Sequence, residues 1–247
     1  MIKPIILAKG NFKSQDLITT VSESNRKIDP TRENQLDILW QEKEKNAKEK
    51  GKLIYNGLSY RLNSLKTENG KLLLDFGIFD FKTRECLPET QDYYETTEEY
   101  WRKGCHTLAT VKTSDGKYLM VELSGKSMNK NSTDFLGGIM ETEPTIRSGI
   151  DIFKSLYKEL EEEAFIIETD IADSILKMIY INGNTNVGFY FEILLKITSD
   201  QMQKRFDSKA KEIDIKSLKT MSRDEYINVL ENHNPNKQFL ATQIKIQ

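Results

Sequence analysis

Four glutamates, Glu159, Glu161, Glu162 and Glu163, crowd the end of the segment from Gly137 to Ile166. In the same stretch Ile152, Phe153, Leu156, Leu160 and Ala164 recur at helical spacing, which predicts an amphipathic helix. At about 100° per residue, Glu159, Glu162 and Glu163 share one face beside the apolar stripe, and Glu161 points elsewhere. Like charges three and four residues apart repel. These also sit toward the negative end of the helix dipole, which adds to the strain. A hard divalent cation would relieve both effects, because Mg²⁺ favours carboxylate oxygens together with a substrate's phosphates. A solvated acidic helix face is the competing account of the helix taken alone.

The neighbouring residues bear on that choice. Lys158-Glu159-Leu160-Glu161-Glu162-Glu163-Ala164-Phe165-Ile166 resembles the second half of the Nudix box, and Gly137-Gly138 resembles the glycine pair that opens it. The resemblance implies a loop–helix–loop that holds Mg²⁺, or Mn²⁺ in its place, against a diphosphate. Glu159, Glu162 and Glu163 would be its metal ligands and catalytic acids. Lys158 stands where the family carries arginine and would position Glu159 through one charge-assisted bond. Gly137 and Gly138 would let backbone approach the metal-binding loop closely. Glu212 stands where many members carry a loop acid that serves as general base; an ordinary surface glutamate is the alternative. Three departures stand out. Phe165 replaces the glycine that ends the helix in the family, the loop ahead of Lys158 is longer than the pattern, and Asp151 is the nearest acid to the first box glutamate. Asp151 reads better as a first-turn acid matched to the helix dipole.

Upstream, Tyr55-Asn56-Gly57 with Tyr60-Arg61, then Phe79-Asp80-Phe81-Lys82, resembles the segment preceding the Nudix domain in hydrolases of UDP-glucose and UDP-galactose. That likeness implies Arg61 and Lys82 as substrate-binding residues and a small-molecule nucleotide sugar as partner. The expected reaction is Mg²⁺-dependent hydrolysis to UMP and a hexose 1-phosphate. The alternatives are another diphosphate, such as ADP-ribose, coenzyme A or a dinucleotide, and a non-catalytic module that senses a nucleotide.

The elements that must position these residues follow from pattern and composition. Asp29-Pro30 predicts a helix start, with the helix running through Trp40 to near Gly51. Asn69-Gly70 and Ser114-Asp115-Gly116 predict hairpins, and Asn182-Gly183-Asn184 a turn between strands 175–181 and 188–197. Strands are also expected at 2–7, 107–112, 118–123 and 212–218, with helices at 199–206 and after Ser222. Residues 8–28 read as loop with a little helix. The fold class is α/β: a Nudix α/β/α sandwich on a mixed sheet over 96–247, preceded by a smaller α+β region over 1–95. With 247 residues, 38% hydrophobic and 30% charged, the chain has enough apolar material for a core. A net charge of −2 offers no attraction for nucleic acid or an anionic membrane. Two cysteines, Cys86 and Cys105, are too few for a disulfide framework or thiolate metal site, so a reduced cytoplasmic setting is expected. The two histidines, His106 and His233, exclude a histidine-rich metal centre, and His106 reads as structural.

Overall fold

The computed structural model describes residues 1–51, 54–123, 133–142, 149–209, 215–232 and 235–245. In chain order it forms β1 (Ile5–Phe12), β2 (Leu17–Val21), α1 (Pro30–Glu49), β3 (Leu58–Glu68), β4 (Lys71–Asp80) and α2 (Phe81–Cys86). There follow β5 (Cys105–Lys112), β6 (Tyr118–Leu123), β7 (Thr133–Asp134), α3 (Ile152–Ala164), β8 (Ile171–Ile181) and β9 (Val187–Leu195). The chain closes with α4 (Ser199–Lys209), β10 (Ile215–Met221), α5 (Arg223–Glu231) and α6 (Pro235–Lys245).

The main sheet runs β1-β8-β9-β5-β6-β10, with β7 on β6. It is mixed: β5 and β9 pair in parallel, while β8 pairs antiparallel with both β1 and β9. Side chains alternate across it as the two-residue strand period requires. Ala109, Val111, Leu119, Val121, Ile179, Phe189 and Phe191 join one core cluster together with α3. Leu108, Met120, Met178, Tyr180 and Tyr190 join a second cluster with α5 and α6. Helices therefore cover both faces, and the fold is an α/β/α sandwich.

A second sheet, β2-β4-β3, is built by the Asn69-Gly70 hairpin and the parallel strand β2. Asn69 and Gly70 take positive φ (49° and 75°), as a tight hairpin turn demands. Asp29 caps α1 by accepting from the Thr31 and Arg32 amides, with Pro30 at the first helical position. One core cluster draws residues from both sides of position 95. Leu36, Trp40, Tyr60 and Phe76 lie in the same cluster as Phe189 and α3, and β1 belongs to the main sheet.

Several elements differ from expectation. Residues 8–28 hold the end of β1 and all of β2, because Leu17–Val21 finds its partner in β4, far along the chain. Phe81 opens α2, since the Asp80 side chain accepts from the Thr83 amide and caps the helix. Helix α6 follows α5; its start at Pro235 is the one local signal. Among the described residues, no helix is long and apolar enough to cross a membrane. Cys86 and Cys105 are free and buried.

Candidate active site

Strand β5 is the scaffold of the site. It pairs with β6 only at Val111 and Lys112. Nearer its start, the segment 136–140 takes the place of β6: the Ala109 amide donates to Leu136 O (2.9 Å), the Thr107 amide to Gly138 O (2.9 Å), and the Met140 amide to Cys105 O (3.1 Å). The Tyr60 amide donates to Met140 O (3.0 Å), so this segment also ties β3 to the main sheet. Gly137 takes φ 136° at the crossing, a conformation that favours glycine. A Cβ there would lie 2.4 Å from Thr107 O.

Helix α3 brings its glutamates onto this segment. The Asp151 side chain accepts from the Phe153 and Lys154 amides, so Asp151 is the helix N-cap. The Gly137 amide donates to Glu163 Oε2 at 2.9 Å. Glu159, one turn earlier, presses on Gly138, where a Cβ would stand 2.2 Å from Glu159 Oε2. Burial pushes the Glu159 carboxyl up to about 7, with Glu162 and Glu141 adding repulsion against the weaker pull of Lys158. Burial pushes Glu163 up to about 8; the Gly137 amide opposes this, and Glu159, Asp134 and Glu162 reinforce it. Two adjacent carboxyls thus resist ionisation at neutral pH and present oxygens on one side of α3.

The remaining expected residues fall as follows. Glu162 stands at the solvent rim, its side chain 58% exposed and 3.9 Å from Lys158 Nζ. Lys158 faces Glu162, and its expected bond to Glu159 is not among the described contacts. Glu212 lies outside the described residues. Arg61 is 1% exposed and fully engaged by protein. Its Nε donates to Arg102 O (3.2 Å), Nη1 to Asn25 Oδ1 (2.6 Å) and Asn63 Oδ1 (3.0 Å), and Nη2 to Trp101 O (3.2 Å). Lys82 Nζ is held by Asp37 of α1 at 2.7 Å. Asn56, beside Gly57, donates to Asp80 (2.8 Å) and accepts from the Lys82 amide (2.7 Å), so this upstream motif braces β4 and α2.

Helix α3 ends on Phe165 in the left-handed conformation (φ 57°, ψ 28°) that glycine would adopt cheaply. The Phe165 amide donates to Glu161 O (2.9 Å) and the Ile166 amide to Leu160 O (3.1 Å). The ring packs 6.1 Å from Phe206 and under Lys209 Nζ at 5.4 Å, so contacts from α4 hold the strained backbone.

A cleft of about 330 Å³ opens on the other side of the glycine pair, between β5, the β8–β9 turn, α2 and α6. Gly137 and Gly138 line it, as do Arg84, His106, Thr107 and Asn186. Burial, with Arg84 and Arg102 close by, pulls His106 down to about 3, so it is neutral here. Sequence pattern points to none of Arg84, Thr107 or Asn186, and Asn186 carries only the signal of a turn.

The pair Glu159 and Glu163 suits a hard cation. Mg²⁺ takes one or two protein carboxylates and completes its shell with water and phosphate oxygens. Among the described residues no group of three His, Cys, Asp or Glu is gathered to hold a metal by itself.

No family model and no curated protein matches the chain. Among solved structures it is similar to a NUDIX hydrolase from Nitrosomonas europaea, at 19% identity and TM-score 0.40, over 57% of this chain and 87% of that one. It is similar to the MutT protein from Methanosarcina mazei at 15% identity and TM-score 0.34, over 57% and 92%. It is also similar to the NUDIX domain of Shewanella oneidensis NrtR, solved in complex with ADP ribose, at 12% identity and TM-score 0.37, over 64% and 99%.

Proposed function

We propose that this chain is a Mg²⁺-dependent hydrolase of a nucleoside diphosphate sugar, with UDP-glucose or UDP-galactose as substrate and UMP and a hexose 1-phosphate as products. The observation that carries this reading is the half-buried pair Glu159 and Glu163, set one turn apart against Gly137-Gly138. The likeness of 158–166 to the Nudix box, and of the upstream segment to that of UDP-sugar hydrolases, supplies the substrate.

Glu159 and Glu163 would hold the cation. Bound there, it would screen the negative oxygens that shield phosphorus and lower the pKa of a water. The Gly137 amide holds Glu163 by its bond to Oε2, and Oε1 would be the oxygen offered to a cation. Glu162, at the rim, is placed to accept a proton from the attacking water or to join the shell. Water oxygen forms a bond to one phosphorus, the bridging oxygen leaves with the other phosphate, and the released proton passes to a carboxylate. A divalent charge beside Glu159 and Glu163 would offset the burial, and the lesser repulsion, that raise both.

Phosphate release from a nucleotide-sugar panel, coupled to a phosphatase and run with and without Mg²⁺, tests the assignment. Turnover should require the cation. A Glu163→Gln variant should remain folded and lose at least about 100-fold in rate. An absence of Mg²⁺-dependent release across the panel would reject it. A non-catalytic nucleotide sensor is the second reading, favoured by Lys158 and Phe165 standing where the family carries arginine and glycine, and by the missing first box glutamate. Ligand-induced thermal stabilisation without turnover would distinguish it.

A further inference from the structure

Arg84 Nη1, His106 Nδ1, Thr107 Oγ1 and Asn186 Oδ1 are buried without a hydrogen-bond partner among the described residues. They come from α2, β5 and the β8–β9 turn, yet all four residues line the cleft behind Gly137-Gly138. A buried polar atom left unpaired is destabilising, so four at one place point to a group that completes them. Arg84 is 7% exposed and Thr107 2%. Both belong to the wall and neither is a surface side chain.

The chemistry of the set is mixed. Arg84 Nη1 only donates and Asn186 Oδ1 only accepts, whereas a hydroxyl and a neutral imidazole can each do either. Arg84 Nη1 and Asn186 Oδ1 are each 3.4 Å from where a Cβ on Gly104 would stand, so the two atoms are neighbours. An anionic oxygen between them would satisfy the guanidinium and repel the amide oxygen. A hydroxyl satisfies both, because it accepts from one and donates to the other. The aromatic residues of the wall, Phe135 and Tyr180, are buried in the core and offer no open face for a stacked base. Asp134 is engaged by Lys237 at 2.9 Å, so it does not add free charge.

We infer that this cleft is the recognition pocket for a neutral polyhydroxylated group, the hexosyl half of the substrate, with Arg84 and Asn186 as its specificity-determining residues. This rests on the proposed nucleotide-sugar reading, since the shared wall Gly137-Gly138 sets the pocket beside the glutamates that would hold the diphosphate. The pyrophosphate would lie on the α3 side of that wall, and sugar hydroxyls would reach Arg84 and Asn186.

Calorimetric binding of glucose 1-phosphate, UMP and inorganic phosphate, with Mg²⁺ present, tests this without needing turnover. The wild-type chain should bind glucose 1-phosphate at least about tenfold more tightly than inorganic phosphate. Asn186→Ala should weaken glucose 1-phosphate by about tenfold and leave UMP unchanged. Arg84→Gln should do the same, and circular dichroism reports whether that buried change folds; Asn186→Ala carries the test if it does not. Equal affinity of the wild type for glucose 1-phosphate and inorganic phosphate would overturn the inference. So would unchanged glucose 1-phosphate binding in Asn186→Ala, or loss of UMP binding in its place. Intact, Asn186-dependent binding without any turnover would sink the hydrolase reading alone. Turnover with no such binding would sink only the pocket.

Discussion

The Gly137 amide donates to the Glu163 carboxylate at 2.9 Å, joining the segment that follows β7 to the last turn of α3. The contact explains why glycine stands there and why Glu163 is held in place. Gly137 takes a backbone conformation that lets its N–H face the helix while its Cα lies on β5. Four consequences of this site and its supports can be measured.

The stability of the metal-free chain should fall as pH rises from about 5 to about 8.5. Glu159 titrates near 7 and Glu163 near 8, both above their ordinary 4.5. Across that window the folded chain holds protons that the unfolded chain has released, so the folded state is favoured below it and loses ground through it. Melting temperatures at fixed ionic strength should show this slope. Mg²⁺ should flatten it by stabilising the ionised pair, and Glu163→Gln should remove its upper part. A flat profile in the absence of divalent cation would contradict the burial of the pair.

The two glycines should respond differently to alanine. At Gly137 the methyl meets β5 backbone, Thr107 O at 2.4 Å, with φ at 136°. Gly137→Ala should therefore cost about 2 kcal/mol or more in stability. At Gly138 the methyl meets only the Glu159 carboxylate, the far end of a flexible side chain. Gly138→Ala should keep most of its stability and lose activity as Glu159 is displaced. Urea denaturation and turnover of both variants, measured side by side, decide this.

Phe165 combines a strained backbone with useful packing. Substitution should reverse the usual order in which alanine outranks glycine near a helix. Both Phe165→Ala and Phe165→Gly lose the contact with Phe206, but only glycine relieves the left-handed φ. Phe165→Gly should be the more stable of the two by about 1 kcal/mol. Equal midpoints in urea would show that the backbone relaxes on truncation.

Arg61 should prove to be a structural residue. Its donors close a buried network with the Trp101 and Arg102 carbonyls and with Asn25 and Asn63. Lysine cannot reproduce that fork, and Arg61→Lys should cost about 3 kcal/mol. At temperatures where the variant is folded, KM should match wild type. A raised KM at unchanged stability would return Arg61 to a substrate-binding role.

Much of the scaffold is legible in the residues alone. Asp29-Pro30 marks the start of α1, Asn69-Gly70 marks the β3–β4 hairpin, and the apolar repeat from Ile152 to Ala164 marks α3 with its acidic face. These signals act within a few residues of themselves, through caps, positive φ and a 3.6-residue period. Strand β2 escapes that logic because its partner β4 lies more than fifty residues away.

Glu159 and Glu163 share a helix face through their spacing alone, which needs no other element. Tertiary packing set these two half-buried against Gly137-Gly138 with Glu162 in solvent, and consumed Arg61 in the scaffold. It alone brought Arg84, Thr107 and Asn186 to one cleft. Those residues come from three stretches of chain that meet only when β5 and β9 pair in parallel, and contacts set by strand pairing over such separations leave no local pattern to read.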